Sequence, residues 1–485
     1  MNIKAISRNV GYALLVSALF MFLSVIVSML NGNDSALAAL IISFVITFTV
    51  GIFPFIFVRK TSEITLKDGY LIIFLSWLLC FIFGMLPYAL WGGPFSVVNA
   101  FFESVSGFTT TGATILENVE ALPNSLLFWR SATHFIGGLG VVVFLLLIIP
   151  NSSPVKMRLT NMELSSLSKE GYRSRANKTV YIFAYVYLAI AVLAFVAYLI
   201  AGMSPLDAVC HAFSVSATGG FSTRNLSIGA FDSIAIELIT LFFMVLSSLH
   251  FGLLYLSFAT RSLKPLNNPV LKFYLYSLLI FSVLTSFALK LDGAAATWLD
   301  AVRQGTFQTV CAASTSGFAI TDNSHWPMTA NVLIMFMAIM CGCAGSTSGG
   351  LKADRVLVLF KSLGRQLAKI LHPSSVNEVK LGSRILKDEE LAPHMLYIAV
   401  YCLIMAFSIL CCSFTGMDGV EAVSSSVVSI GNVGPSVGSL GYYGSYNAIP
   451  AFAKLILTFD MFLGRIEIFP VLAVVGMIFD RKGRR

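Results

Sequence analysis

Apolar segments long enough to cross a bilayer recur along most of the chain and constrain its fold more than any other feature. A hydrocarbon core about 30 Å thick requires about 20 apolar residues in a helix. With 57% hydrophobic and 12% charged residues, the chain is not an ordinary soluble protein. We predict an all-α polytopic membrane protein, with a retained first helix and spans near residues 11–30, 36–58, 69–91, 125–150, 178–201, 233–258, 270–290, 328–344, 393–414 and 449–479.

Lysine and arginine are concentrated in a few segments, as is usual for the cytosolic loops of membrane proteins. These segments are the N-terminus, loops 59–68, 151–178, 259–272 and 352–392, and the tail from Asp480. Together they hold 26 of the 32 Lys and Arg but only 10 of the 24 Asp and Glu. We predict that these segments and both termini are cytosolic. The net charge of +8 is then a topology signal, so we expect no nucleic-acid partner.

Four segments between the spans share one pattern, in which a polar residue and an alanine lead to a glycine. The polar-alanine pairs are Asn99-Ala100, Asp207-Ala208, Asp300-Ala301 and Glu421-Ala422. The tripeptides that end the pattern are Thr110-Thr111-Gly112, Thr218-Gly219-Gly220, Thr315-Ser316-Gly317 and Asn432-Val433-Gly434. The alanine and the last glycine are 12 residues apart in three copies and 16 apart in the copy that ends at Gly317, which adds about one helical turn.

A half-membrane helix followed by a short extended segment is the shape of a re-entrant pore loop. Non-helical backbone at membrane depth is tolerated only where it is buried in protein or lines a water-filled path. Four such loops around one axis form a ring of carbonyls that can replace the hydration shell of a cation. The alternative is four polar, glycine-rich external loops, but four copies with matching spacing argue against it. The residues predicted to bind the cation are Thr111, Gly112, Gly219, Gly220, Ser316, Gly317, Val433 and Gly434.

The sequence "CGCAGSTSGG" interrupts an apolar helix. Glycine is unfavourable in a helix interior, so we expect the helix to break here. The residues of this break are Gly342, Gly345, Ser346, Thr347, Ser348, Gly349 and Gly350. The break is either a mobile constriction beneath the filter, which the family resemblance given below favours more than the composition does, or a static kink filled by neighbouring side chains.

Arg465 lies in the last apolar run, where a charge costs at least a few kcal/mol. Its neighbours three and four residues away are apolar, so its partner must come from another segment. We expect it to bond the carbonyls of the Gly345–Gly350 loop and to obstruct cation passage when the pore is closed. The alternative is a buried structural ion pair with an acidic residue. His134 and His250 also lie within spans, and for both we expect structural contacts.

With these motifs in place, the chain resembles the Trk/Ktr/HKT superfamily of potassium transporters, and within it the TrkH type. The most specific matches are "FWRSATHFIGGLG" (Phe128–Gly140), "CGCAGSTSGGLKADR" (Cys341–Arg355) and "LGRIEIFP" (Leu463–Pro470). The resemblance implies four span–pore-loop–span repeats around one central pore. It divides the chain into an extra N-terminal helix pair at 1–58 and repeats at 59–150, 151–260, 261–371 and 372–485.

The resemblance also implies function and partners. In plant relatives that admit sodium a serine replaces the first filter glycine, whereas Gly112 stands here, so potassium selectivity is implied. Asn432 replaces the threonine of the other loops, which makes the fourth wall the least regular. The family implies a bacterial inner-membrane homodimer with a cytosolic nucleotide-binding regulatory subunit of the TrkA type. A nucleotide is thus expected only through that partner, and K⁺ and Rb⁺ are the expected ions.

Two transport mechanisms are compatible with these motifs. A gated, channel-like pore is favoured because carboxylates able to relay protons across the membrane are few beyond Asp460 and Glu467. The alternative is potassium symport coupled to H⁺ or Na⁺. We do not expect an enzyme, because the sequence has no catalytic constellation and no G-x-x-x-x-G-K-[ST] phosphate loop. No bound cofactor other than K⁺ in the filter is expected.

Overall fold

Helices dominate the part of the chain that the computed structural model describes, residues 2–58, 64–140, 176–374, 378–381 and 384–483. The helices of its first half are α1 (Ile3–Leu30), α2 (Leu37–Phe57), α3 (Leu66–Gly84), α4 (Leu86–Trp91), α5 (Val97–Phe108), α6 (Asn124–Gly138), α7 (Ala176–Ile200), α8 (Pro205–Ala217), α9 (Ile234–Ser248) and α10 (Phe251–Thr260). Those of the second half are α11 (Pro269–Leu291), α12 (Trp298–Ser314), α13 (Met328–Met340), α14 (Ala353–Leu371), α15 (Asp388–Phe414), α16 (Gly419–Ile430), α17 (Ala451–Ile466) and α18 (Ile468–Gly483).

One short antiparallel hairpin precedes α15. Its strands are β1 (Val379–Leu381) and β2 (Arg384–Leu386), and Lys380 lies opposite Ile385. The hairpin packs against α14, where the Lys361 ammonium donates to the Lys380 carbonyl. It belongs to the predicted cytosolic loop 352–392.

Long apolar helices expose large side chains outward and bury small or polar ones between them. Leu193 on α7 and Leu279 on α11 are 58% and 62% exposed. On α1, by contrast, Ser17 is fully buried and Gly11 packs against the Gly51 carbonyl of α2. Lipid tails are as apolar as leucine, so burying large apolar side chains between helices does not drive their association in a membrane. Small residues instead allow the helices to approach closely. This arrangement is that of a multi-pass membrane protein.

Six helical segments of the described residues are long and apolar enough to span a membrane. They are Ile3–Leu30, Leu37–Phe57, Lys67–Trp91, Val180–Ile200, Pro269–Leu291 and Asp388–Phe414. A seventh consists of α9 and α10, which meet at an angle of 100°. The other long apolar runs of the sequence are divided by breaks.

Two runs predicted as continuous spans, 233–258 and 449–479, are broken, so the prediction of continuous helices there was wrong. In the first, the His250 imidazole accepts hydrogen bonds from the N–H groups of Gly252 and Leu253 and thereby starts α10. In the second, Glu467 has a φ of 66° and separates α17 from α18. Pro470 reinforces this break because proline has no N–H to donate to the preceding turn.

Four short helices, α5, α8, α12 and α16, lead into the predicted filter loops. Each is capped by a residue four positions before the alanine of its repeat, namely Ser96, Ser204, Thr297 or Asp418. Such side-chain oxygens satisfy backbone N–H groups that a helix start leaves free. The helix α12 has 17 residues and the others 12 or 13, so the extra turn predicted from the spacing lies within the helix.

Some predictions fall outside the described residues. Residues 141–175 contain the predicted boundary between the repeats 59–150 and 151–260 and most of the predicted cytosolic loop 151–178. Residues 59–63 of the first predicted cytosolic loop and the last two residues of the tail also lie outside.

Candidate functional site

The four predicted filter loops share one backbone conformation. Each has a positive φ at its first and third residues. The first residues, with φ between 54° and 57°, are Thr110, Thr218, Thr315 and Asn432. The third residues, with φ between 66° and 92°, are Gly112, Gly220, Gly317 and Gly434. The middle residues, Thr111, Gly219, Ser316 and Val433, link these two turns of the chain.

The four loops are in contact around a closed ring. A Cβ placed on Gly112 would collide with the Gly219 carbonyl, and one on Gly220 would collide with the Ser316 carbonyl. In the same way, Gly317 lies against the Val433 carbonyl and Gly434 against the Thr111 carbonyl. Each glycine thus gives the next loop's carbonyl the space that a side chain would fill. The first and fourth loops meet, although they are more than 300 residues apart in sequence.

The fourth loop differs from the others in its hydrogen bonds. The Asn432 amide donates to the Thr111 hydroxyl at 3.1 Å and to the Met461 carbonyl at 2.8 Å. The Tyr446 hydroxyl donates to the Gly434 carbonyl at 2.8 Å. One lone pair of that carbonyl is therefore already engaged by the protein. The sequence predicts that the fourth loop is the least regular because it has Asn432 in place of threonine, and these hydrogen bonds are the difference that the structure shows.

A buried ion pair behind the ring was missed by sequence reasoning. Arg130 Nε on α6 lies 2.8 Å from Glu103 Oε1 on α5, and both side chains are at most 2% exposed. The same carboxylate accepts from the Thr114 hydroxyl and the Ile115 N–H, just past Gly112. The guanidinium also donates to the Ser222 carbonyl and lies 4.0 Å from the centre of the Phe221 ring. The pair therefore connects the first loop to the second.

The signal for this pair is present in the sequence, because an ionisable residue inside a span needs a partner. Glu103 and Arg130 have opposite charges and lie on neighbouring apolar segments of one repeat. His134, one turn after Arg130, lies behind the second loop: its ring stacks on Phe221, and its Nδ1 is 2.9 Å from the Ser214 hydroxyl. His250 starts a helix, as described above.

A cavity of about 130 Å³ lies over the side of the ring that is predicted to face outward, and it is lined by Gly112, Gly220 and Gly317. Arg224 is on its rim and bonds the Asp207 carboxylate at 2.9 Å. Burial raises the pKa of the Asp207 carboxyl, but hydrogen bonds from Thr223, Arg224 and Ser204 outweigh it, so the pKa lies below its ordinary value. The carboxylate therefore remains ionised at neutral pH.

The glycine-rich break lies on the side of the ring that is predicted to face the cytosol. Helix α13 ends at Met340, Cys341 has a φ of 57°, and α14 starts after Lys352, whose φ is 74°. The Gly349 N–H donates to the Thr315 hydroxyl at 3.2 Å, and Gly349 also packs against the Asn432 side chain. The predicted break is thus confirmed, and its last residues contact the filter loops directly.

The loop is held by backbone and side-chain bonds to the broken helix α9–α10. The Phe251 N–H donates to the Gly345 carbonyl, and the Cys343 N–H donates to the Ser248 carbonyl, both at 2.9 Å. The Thr347 hydroxyl lies 3.2 Å from the Ser247 carbonyl of α9 and 3.0 Å from the Ser216 carbonyl of α8, and can donate to either. Many of the free backbone groups of one break are therefore satisfied by another.

Arg465 reaches this loop, as predicted. Its guanidinium donates to the Thr347 carbonyl at 2.5 Å and to the Gly137 and Gly138 carbonyls at 2.7 and 3.0 Å. Gly137 and Gly138 are the last residues of α6, where a helix end leaves carbonyls without a partner four residues later, although the Gly137 carbonyl also accepts from the Gly140 N–H at 2.9 Å. Arg465 thus joins the end of α6 and the glycine-rich loop to its own helix α17. It lines an inner cavity of about 70 Å³ together with Gly345, Ser346, Thr347, Ser348, Lys352 and Glu467.

Glu467 pairs with the residues that follow the loop. Its carboxylate lies 2.8 Å from Arg355 Nη2 and 3.9 Å from Lys352 Nζ. The Arg355 guanidinium also lies 3.8 Å from the centre of the Tyr397 ring. The break between α13 and α14 is thereby joined to the break between α17 and α18.

Comparison with known proteins gives consistent results. The TrkH family model, described as a cation transport protein, matches residues 36–480. The Trk system potassium uptake protein TrkH of Vibrio parahaemolyticus is 33% identical over 99% of this chain and its own full length. TrkH of Escherichia coli (strain K12) is 32% identical over 99% of this chain and its full length. The crystal structure of the potassium transporter TrkH from Vibrio parahaemolyticus superposes with a TM-score of 0.87, covering 97% of this chain and 98% of that one.

The relatives match this chain over nearly its whole length and in fold. The site described above lies within the matched residues, from the filter loop at Gly112 to Arg465. The chain belongs to the TrkH family of cation transport proteins.

Proposed function

We propose that this protein takes up potassium through a channel-like pore formed by the four filter loops. The closed ring in which each filter glycine faces a carbonyl of the next loop carries the proposal. Carbonyl oxygens arranged in this way can replace the water around a dehydrated K⁺. Relatives covering the full chain are named potassium uptake proteins, and this supports the choice of ion.

The path starts in the outer cavity above Gly112, Gly220 and Gly317. A K⁺ ion entering there would exchange water for the carbonyls of the filter residues, with Gly434 contributing less because Tyr446 shares its oxygen. Passage follows the electrochemical gradient and requires no covalent chemistry. The protein supplies the ring, keeps it rigid through the Glu103–Arg130 pair, and controls the inner exit.

Arg465 and the loop 342–350 form the gate in this proposal. A fixed guanidinium beneath the ring repels a cation, and its bonds to Thr347, Gly137 and Gly138 hold the loop across the exit. Hydrogen bonds to charged groups contribute about 1.5–3 kcal/mol each. Opening therefore requires a force that moves the loop and α17 apart.

We assign that force to a cytosolic partner. The basic loops 151–178 and 352–392 offer docking surface for a nucleotide-binding regulatory subunit of the TrkA type. We also propose that the protein is a homodimer in the bacterial inner membrane with both termini in the cytosol. These assignments follow from the family and from the distribution of Lys and Arg.

The test is rubidium uptake into liposomes that contain the purified protein and an internal potassium excess, without any proton or sodium gradient. We expect uptake by the wild type and faster uptake by Arg465→Ala, because the guanidinium and its three described hydrogen bonds are removed. Replacing internal potassium by sodium gives the selectivity control. Lys369→Ala, which removes a charge from the exposed part of α14, is the control for net charge and should behave as the wild type.

Two results would contradict the proposal. If uptake requires an imposed proton or sodium gradient, potassium symport coupled to that ion is the mechanism. If uptake is gradient-independent but Arg465→Ala is no faster than the wild type, Arg465 is structural and the gate lies elsewhere.

A further inference from the structure

A carboxyl group without a counter-charge lies in the interface between α15 and α17. Asp460 on α17 is fully buried. Its Oδ1 accepts a hydrogen bond from the Ser408 hydroxyl of α15 at 2.7 Å. Its Oδ2 has no hydrogen-bond partner among the described residues. The proposed pathway does not use this group.

The described residues around Asp460 supply polar groups, but none of them directs a cation at it. On α15, the Tyr401 hydroxyl is buried without a partner among the described residues, and the Cys412 thiol lies beside both Asp460 and the Ser426 hydroxyl of α16. Glu421, the acidic residue of α16, bonds Ser439 near the start of that helix. The described side chains of α18, residues 468–477, include no charged residue.

The other titratable groups on the packed helices are engaged elsewhere. On α17 itself, Lys454 donates to Asn99 and Asn447. Arg465 on the same helix donates to the carbonyls described above. On α5, Glu103 is paired with Arg130. On α3, Cys80 faces Ser17 of α1.

Burying an ionised carboxylate in such a place costs far more free energy than burying a neutral carboxylic acid. Isolated charges in apolar surroundings lose their hydration, and the group takes up a proton instead. We infer that Asp460 is a proton-binding site: it holds a proton at neutral pH, between α15 and α17, and loses it only in alkaline conditions. The Ser408 hydroxyl donates to Oδ1 and stabilises the carboxylate more than the neutral acid, which offsets the cost of burial only in part.

Loss of this proton acts on the helix that carries the proposed gate. Asp460 precedes Arg465 by five residues, about 7.5 Å along a helix that rises roughly 1.5 Å per residue. A new negative charge there attracts the guanidinium and favours separation of α15 from α17. We therefore expect alkaline pH to change potassium flux through this group. This second step rests on the proposed function, whereas proton binding does not.

Infrared spectroscopy of the reconstituted protein tests proton binding directly. A protonated, buried carboxyl has a carbonyl stretching band distinct from that of a carboxylate. We expect the wild type to show this band at neutral pH and to lose it on alkalinisation, and Asp460→Asn to lack it. Asp300→Asn, which replaces a half-buried aspartate in the first turn of α12, should retain it. A neutral-pH spectrum in which Asp460→Asn removes no such band would overturn the proposal.

Rubidium uptake measured from neutral to alkaline pH tests the second step. We expect the alkaline part of the wild-type profile to be absent in Asp460→Asn and retained in Asp300→Asn. Identical profiles in all three proteins would exclude control of flux by this proton while leaving the infrared result intact. If Asp460→Asn does not fold, Ser408→Ala serves instead: it removes the one described hydrogen bond to the carboxyl and should shift the pH at which the band disappears.

Discussion

Eight residues with positive φ define the ring, and only four of them are glycines. The other four are Thr110, Thr218, Thr315 and Asn432, which adopt the left-handed conformation at a cost of roughly 1–2 kcal/mol each. Such strain persists only where the surroundings impose it. Here the ends of four helices and the neighbouring loops do so. The strain is stored at the ring because the pore requires that backbone shape.

Gly112→Ala is expected to reduce the preference for rubidium over sodium. Gly112 has a φ of 81°, and an added Cβ would displace the Gly219 carbonyl from the ring. If the displaced carbonyl weakens K⁺ or Rb⁺ binding at one site by about 1.4 kcal/mol, while Na⁺ binding is unchanged, the selectivity falls about tenfold. The measurement is rubidium and sodium uptake in the same liposomes. Gly364→Ala on α14, where an added Cβ meets open space, is the control, and a selectivity loss there would contradict this reasoning.

Arg130→Gln is expected to destabilise the fold strongly, because it leaves the Glu103 carboxylate buried without its partner. Removing one member of a buried pair lowers the free energy of unfolding by roughly 3–5 kcal/mol. Arg365→Gln removes the partner of Asp388, whose side chain is 79% exposed, and here the loss is about 1 kcal/mol or less. Thermal unfolding in detergent compares the two. Equal losses would show that the Glu103–Arg130 pair contributes no more than an exposed one.

At the scale of helices, the sequence indicates one break clearly and two others poorly. The loop 342–350 is predicted from its glycines, whereas the break at Leu249–His250 contains neither glycine nor proline. The imidazole cap of His250 is local but is a weak signal in a sequence, and the Gly345 carbonyl reaches the Phe251 N–H only in the folded protein. At Glu467 the signal was present in Pro470, but the charged partners Lys352 and Arg355 come from another repeat.

Glu467→Gln is expected to weaken the junction between the broken helices of the third and fourth repeats. It removes the charge that faces Lys352 and Arg355 directly after the proposed gating loop. We expect rubidium uptake to rise, because the loop is then held less firmly against Arg465. We also expect a lower unfolding temperature, since both cations lose their described acidic partner.

The matched control is Asp388→Asn, which removes the exposed carboxylate that faces Arg365. It should change neither uptake nor the unfolding temperature appreciably, because exposed pairs contribute about 1 kcal/mol or less. A Glu467→Gln protein that is less stable but takes up rubidium at the wild-type rate would restrict Glu467 to a structural role.

At the scale of the whole molecule, the membrane class and the four filter loops follow from features that lie close together in sequence. Apolar runs, a repeated spacing and a charge bias can all be read from short stretches of sequence. The order in which the loops meet cannot be read in this way, because Gly434 faces the Thr111 carbonyl only after the chain has closed around an axis. The triple junction at Arg465 is likewise a product of closure. Sequence reasoning identified its loop partner but not Gly137 or Gly138.

The orientation of the molecule is predicted by charge and can be measured at the two ends of α11. Lys264 precedes this helix in a basic segment, and Asp292 follows it on the predicted outer side; both are exposed. Lys264→Cys and Asp292→Cys would be treated with a membrane-impermeant maleimide in right-side-out vesicles. We expect Asp292→Cys to react at once and Lys264→Cys to react only after permeabilisation. The wild type is the blank, since Cys402 and Cys411 lie within the apolar span α15 and the other cysteines are buried. The opposite labelling pattern would mean that the protein has the reverse orientation in the membrane, with the cavity over Gly112, Gly220 and Gly317 on the cytosolic side.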